Sequence, residues 1–177
     1  GISGLAGIGA SVAVGNINNT TLAFINNAEL EAGQNIELSA VSTENQAKAK
    51  TFAGGIGFVG TGASVAIVNS NKTTNAYIAD AASASTATKI NKAGILKISA
   101  ANISNVSTEA YGGAAGYAAV GAAVATAGSN GSTSAYIGNY TKIGKDANVS
   151  KTVNFIDIDS TSNNTSNAKA GAGLGGL

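Results

Sequence analysis

GASVAVGNINNTTLAFI, from Gly9 to Ile25, returns as GASVAIVNSNKTTNAYI from Gly62 to Ile78, and again, more worn, as GAAVATAGSNGSTSAYI from Gly121 to Ile137. The step from Gly9 to Gly62 is 53 residues and that from Gly62 to Gly121 is 59. A period of this size marks a repeat architecture, in which each unit covers the exposed face of its neighbour. The chain of 177 residues reads as a single segment, 1–177, with repeats at approximately 9–61, 62–120 and 121–177. It begins and ends inside Gly-rich text and reads as a piece of something longer.

Within each repeat the dominant pattern is alternation, the mark of half-buried strands. Ile36, Leu38 and Ala40 alternate with Glu37 and Ser39. Leu96, Ile98 and Ala100 do the same with Lys97 and Ser99, and Ile156 and Ile158 with Asp157 and Asp159. No apolar stripe of helical period persists. Ala23, Ala76 and Ala135 are identical between copies, as are Ile25, Ile78 and Ile137, while Leu22, Asn75 and Ser134 vary. A row that keeps its size is expected inside, and one that varies faces water. Turns are expected at Gly15-Asn16, Asn26-Asn27, Ala32-Gly33, Asn91 to Gly94 and Gly144 to Asp146.

Strands of about five or six residues between such turns predict an all-β fold. Its expected form is a parallel β-helix (solenoid) built from three repeats of about 53–59 residues. Coils of roughly 18 to 27 residues, stacked ~4.8 Å apart, would place two or three coils in each repeat. The alternative is an antiparallel sandwich, supported only by the hairpin dipeptide Asn130-Gly131.

Composition excludes several function classes. The chain has ten lysines, nine carboxylates and a net charge of +1, with no Arg, His, Cys, Met, Pro or Trp. No basic field exists to attract nucleic acid. Imidazole acid–base catalysis, thiol nucleophiles, zinc sites and arginine clamps are removed. The carboxylate pairs Asp157/Asp159 and Glu29/Glu31 are expected to be solvated strand faces rather than metal or catalytic sites. No cofactor is expected, and the chain is expected not to be an enzyme. Residues 1–28, 51–71 and 110–141 carry no charge. Their Gly, Ala, Ser, Thr and Asn content reads as small-residue strands rather than transmembrane helices.

Two rows are candidate contact surfaces. Phe24, Tyr77 and Tyr136 point opposite the invariant Ala/Ile row, so they are expected outside, ~10–15 Å apart with two or three coils per repeat. There they would either cover a hydrophobic edge or pack under a loop, or meet a protein receptor or a glycan. Ser11, Ala13, Ser64, Ala66, Ala123 and Ala125 form a tiny, uncharged row. It is expected to be an outward packing face for self-association. The hydroxyl pairs Thr20-Thr21, Thr73-Thr74 and Ser132-Thr133 follow Asn18, Asn71 and Asn130, read as a stacked Asn ladder at turns.

The phrase GASVAV-x-N-x-N-x-TT-x-A-[FY]-I, followed by I-x-L-x-A and a Gly-rich charge-free run, resembles the leukotoxin-type filamentous adhesins of fusobacteria. These are relatives of filamentous haemagglutinin, exported by two-partner secretion. The resemblance covers Gly9 to Leu177. It implies a right-handed β-helical rod, secreted or on the bacterial cell surface, that engages a host-cell protein or glycan or acts as a rigid spacer. It also implies an outer-membrane secretion partner for the parent protein. No family motif marks a catalytic or receptor-binding residue here. Alternative readings are a membrane-damaging toxin segment and the head of a trimeric autotransporter adhesin.

Overall fold

A computed structural model describes residues 4–144 and 151–176. Among them the chain is all strand and turn: β1 (Ala6–Ile25), β2 (Glu29–Glu31), β3 (Ile36–Ile56), β4 (Val59–Ile78), β5 (Lys89–Ala115), β6 (Ala118–Ile137), β7 (Lys142–Ile143) and β8 (Val153–Gly175). β1, β4 and β6 pair side by side in one sheet, here called the N sheet. β3, β5 and β8 pair in a second, the C sheet, and the short β2 and β7 flank the start of β5. Every pairing is parallel, which removes the antiparallel sandwich.

The register corrects the expected coil count. Gly9 lies opposite Gly62, which lies opposite Gly121. Each repeat therefore adds one strand to the N sheet and one to the C sheet, and neighbouring repeats are a single strand spacing apart. The expected short strands fuse: β1, β4 and β6 each run 20 residues, beginning three residues ahead of the repeat starts read from sequence. The expected turn at Gly15-Asn16 lies in mid-β1, Asn91 to Gly94 lies in β5, and Asn130-Gly131 lies in β6. In-register pairing, with β4 for β1 and β6 and with its own neighbours for β5, satisfies backbone groups that a local turn would otherwise have to satisfy. Asn26-Asn27 and Ala32-Gly33 do interrupt the chain. Asn27 takes φ 46, a conformation Asn tolerates better than most residues. Asp146, in the last expected turn, lies outside the described residues.

The two sheets face each other, and their inner rows form the core. One apolar cluster joins Ala76 and Ile78 of β4 to Leu96, Ile98 and Ala100 of β5 and Ala40 of β3. Ala23, Ile25, Ala135 and Ile137 belong to the same rows by register, so the invariant row is inside as expected. A second cluster joins Ala66 and Val68 to Ala47, Ala49, Val106 and Ala110.

The small row is inside too, which overturns its reading as an outward packing face. Ser64 is 2% exposed and Ala66 0%, and Ala13, Ala123 and Ala125 pack against the second cluster. Ser11 shares this row by register with Ser64. The reason is parity. With no turn at Gly15, Ser11, Ala13, Ala23 and Ile25 fall on the same side of one unbroken strand. Small residues line this half of the interior because the sheets converge there. A Cβ on Gly62 would strike the carbonyl oxygen of Gly113, and one on Gly112 would strike that of Ala122. Val12 and Val14 point out instead.

Candidate functional site

Between the two apolar clusters the interior holds a polar layer. Lys72 and Glu44 are its charged members. Lys72 stands on the inner row of β4, and its side chain is 3% exposed. Its Nζ lies 3.3 Å from Glu44 Oε2 and donates to the Ile103 carbonyl at 3.2 Å. Ser70 Oγ and Ser104 Oγ donate to the same Glu44 oxygen at 2.8 and 3.1 Å. Burial alone pushes the Glu44 carboxyl up, but the two serine hydrogen bonds and Lys72 outweigh it and hold the group below its ordinary value. The layer ties β3, β4 and β5 together. The Lys72 charge is buried and paired, and Glu44 keeps only 14% exposure, so the part the pair plays is structural.

The outer face of the N sheet carries the aromatic row. Phe24, Tyr77 and Tyr136 stand outside, as expected, but not 10–15 Å apart. Their ring centroids are 5.7 Å apart for Phe24–Tyr77 and 5.0 Å for Tyr77–Tyr136, with near-parallel planes. One strand spacing per repeat explains the difference. It also changes what the row offers. Each ring covers its neighbour's face, so Tyr77 has no free face to stack on a sugar or a receptor. Ring edges and tyrosine hydroxyls remain accessible. Beside this row, Asn69 Nδ2 donates to Asn16 Oδ1 at 3.3 Å and Asn71 Nδ2 to Asn18 Oδ1 at 3.1 Å. The Asn ladder exists, but in mid-strand rather than at turns.

The C sheet carries the charges on its outer face. Lys50, Glu109 and Lys169 stand in one row. Lys50 Nζ is 3.1 Å from Glu109 Oε2, and Glu109 is held below its ordinary value first by that hydrogen bond and then by the Lys50 charge. Lys50 and Lys169 flank the Tyr111 ring at 5.8 and 6.0 Å. Glu37, Lys97 and Asp157 form a second row of alternating sign. The carboxylate pairs read from the sequence are engaged in such contacts. Glu29 accepts from Asn91 at 2.7 Å and pairs with Lys89 at 3.5 Å, and both hold it below its ordinary value. Glu31 lies 3.6 Å from Lys151, and Asp159 accepts from Thr161 at 3.3 Å. Among the described residues no three carboxylates gather as a metal would require.

Sequence reasoning missed one surface. Where β3 hands over to β4 and β5 to β6, Phe58 and Tyr117 stack at 5.3 Å on the rim of the molecule. Next to them, on the outer face of the C sheet, a shallow trough of about 540 Å³ runs across the strands. Gly54, Gly113 and Gly173 share one register row in it, and Phe52, Ile56 and Leu174 border it. The side chains that line it are all apolar. The signal in the sequence was the coincidence of the charge-free stretches 51–71 and 110–141 with the strand handovers. Searches against protein-family models, curated protein sequences and solved structures found no match. No helix among the described residues is long and apolar enough to cross a membrane.

Proposed function

We propose that the chain is a non-catalytic segment of a right-handed parallel β-helix (solenoid), part of a large exported bacterial exoprotein of the leukotoxin or adhesin kind. In this reading it is a rigid rod at the cell surface or in the medium, presenting its outer faces to host-cell proteins or glycans and setting their distance from the cell. The parent protein would need an outer-membrane secretion partner.

One observation supports this reading above the others. Successive repeats lie in parallel register, residue on residue through the N sheet and with one shift between Glu44 and Ala47 in the C sheet, so that length along the stack grows by one strand spacing per repeat. Such a stack is stiff, because every central strand is pinned on both edges. It is a shape for reach and display. The absence of Cys and the low charge suit export of an unfolded chain. The test is binding of the purified chain to leukocytes and epithelial cells, with release of a cytosolic enzyme scored in parallel. Saturable binding without lysis is expected. Lysis would overturn the rod reading in favour of a membrane-damaging segment, and a folded chain that binds neither cell type would overturn host engagement by this segment.

A further inference from the structure

The cross-section of the stack is lopsided. At one side the sheets are separated by Ile, Leu and Val side chains. At the other, between Ala6 and Val14, Thr51 and Ala66, and Ala110 and Ala125, glycines bring the backbones into contact, as at Gly9 against Gly54 and Gly62 against Gly113. The result is a thin blade. Its N-sheet face exposes Ile8, Val12, Val120 and Val124, and its C-sheet face exposes Phe52 and Ile56. Its rim exposes Phe58 and Tyr117, the latter 78% exposed. No charged residue occurs anywhere in the blade, and the N sheet as a whole has one, Lys72, which is buried.

We propose that this blade is a lipid-adsorbing edge that enters the interfacial region of a bilayer without regard to headgroup charge. Area and shape argue for lipid over a second copy of the chain. Nine residues on three strands span about 30 by 14 Å, so the N-sheet face offers about 400 Å² of flat apolar surface. A stable protein interface needs about 800 Å² from each partner. The C-sheet face, five residues deep, is smaller still. A rigid partner covers one face and leaves the other in water, whereas a fluid apolar medium covers both faces and the rim at once. The rim fits that medium: Tyr117 presents an apolar ring with a polar tip, the form that settles at a membrane interface. Depth is limited by the fold itself. Among the described residues β1, β3, β6 and β8 are paired along one edge only, and hydrocarbon would leave their free backbone groups unsatisfied.

This proposal uses only the outer surface and does not rest on the rod reading. It is tested by flotation of the purified chain with phosphatidylcholine vesicles and with the same vesicles containing phosphatidylserine. Equal binding to both, unchanged by added salt, is expected. Val12→Lys with Val124→Lys should lower the bound fraction about tenfold or more. Both side chains already point to solvent, so the circular dichroism spectrum and melting point should hold. Asn163→Lys with Asn167→Lys, which adds the same two charges at exposed positions on the polar part of the C sheet, should bind like the wild type. Failure to float with phosphatidylcholine, binding only with phosphatidylserine, or wild-type binding by the lysine variant would each overturn the proposal. So would a wild-type dimer that the lysine variant dissociates and that shows no vesicle binding, since a second copy would then be the occupant.

Discussion

Replacing Lys72 by Met tests whether the polar layer is an integral part of the fold. The ammonium is buried and shared between the Glu44 carboxylate and the Ile103 carbonyl. Removing it leaves a carboxylate with two serine donors and no countercharge. Breaking a buried pair from one side costs about 3–5 kcal/mol. Glu44 keeps 14% exposure, so the lower end, about 3 kcal/mol, is expected in urea unfolding at neutral pH. The pH dependence carries a sign. In the wild type the Glu44 carboxyl is held below its unfolded value of 4.5. Its contribution is therefore fully present above about pH 4.5 and is lost as pH falls through the lower folded value. In the variant, burial remains and the cation is gone, so less is lost in acid. The gap between variant and wild type should narrow below about pH 4.5. Adding Glu44→Gln to Lys72→Met should recover most of the loss, leaving about 1 kcal/mol. A single variant within about 0.5 kcal/mol of the wild type, or a double variant whose cost equals the sum of the singles, would refute the reasoning.

Four further outcomes follow from the stack. Gly62→Val should cost more than about 2 kcal/mol in chemical denaturation, because its side chain meets the Gly113 carbonyl. Gly173→Ala, with open space around it, should be neutral or stabilising by up to about 1 kcal/mol. Tyr77→Ala removes two ring stacks and Phe24→Ala one, at about 0.5–1.5 kcal/mol each. Tyr77 should thus cost about twice as much, and equal costs in thermal melts would show that ring stacking is not what holds the row. Lys97→Glu places three acids in one row with Glu37 and Asp157. It should lower the melting point at low salt and recover much of the loss at high salt; a salt-independent loss would point to packing instead.

The repeat was legible in the sequence because it copies whole phrases, and the inner Ala23/Ile25 row was legible because it holds its size across copies. Strand length was not. Gly15-Asn16 and Asn130-Gly131 have the composition of turns, and only their in-register pairing with β4 reveals that they are extended. That one missing fact carried two errors. It split β1 into separate strands, which freed Ser11 and Ala13 to be assigned outward. It also called for several coils per repeat, which moved Phe24, Tyr77 and Tyr136 apart. The usual preference for large apolar residues inside compounded the first error. Near Gly62 the sheets lie too close for valine, so Val12 and Val124 are left outside. Lys72 was invisible for a related reason: only unbroken parity along β4 places it on the buried side.

An in-register parallel stack restricts which residues it can hold. Each side chain sits about 4.8 Å from its counterpart in the next repeat, so whatever the repeat carries must tolerate its own kind. Two like charges at that distance repel by about 1 kcal/mol in water and several-fold more where solvent is thinner. Asn does the opposite, since each amide donates to the next, as Asn71 does to Asn18. Aromatic rings stack, and Val and Ala pack. A chain with 11% charged residues rich in Asn, Ser, Thr and small apolar side chains is what this rule selects. In the two long charged ladders of the C sheet the sign alternates: Glu37, Lys97, Asp157 and Lys50, Glu109, Lys169; the short row Glu29, Lys89, Lys142 at the end of the stack is the exception, closing on a like pair. The N sheet meets the same rule by exclusion, keeping its one charge inside. The bare apolar blade is thus more than an accident of composition. Alternation was open to both sheets, and the C sheet shows that the chain uses it, yet the face from Ala6 to Val14 and its copies carry no charge at all. Tolerance for stacking does not account for that choice, whereas contact with an apolar medium does.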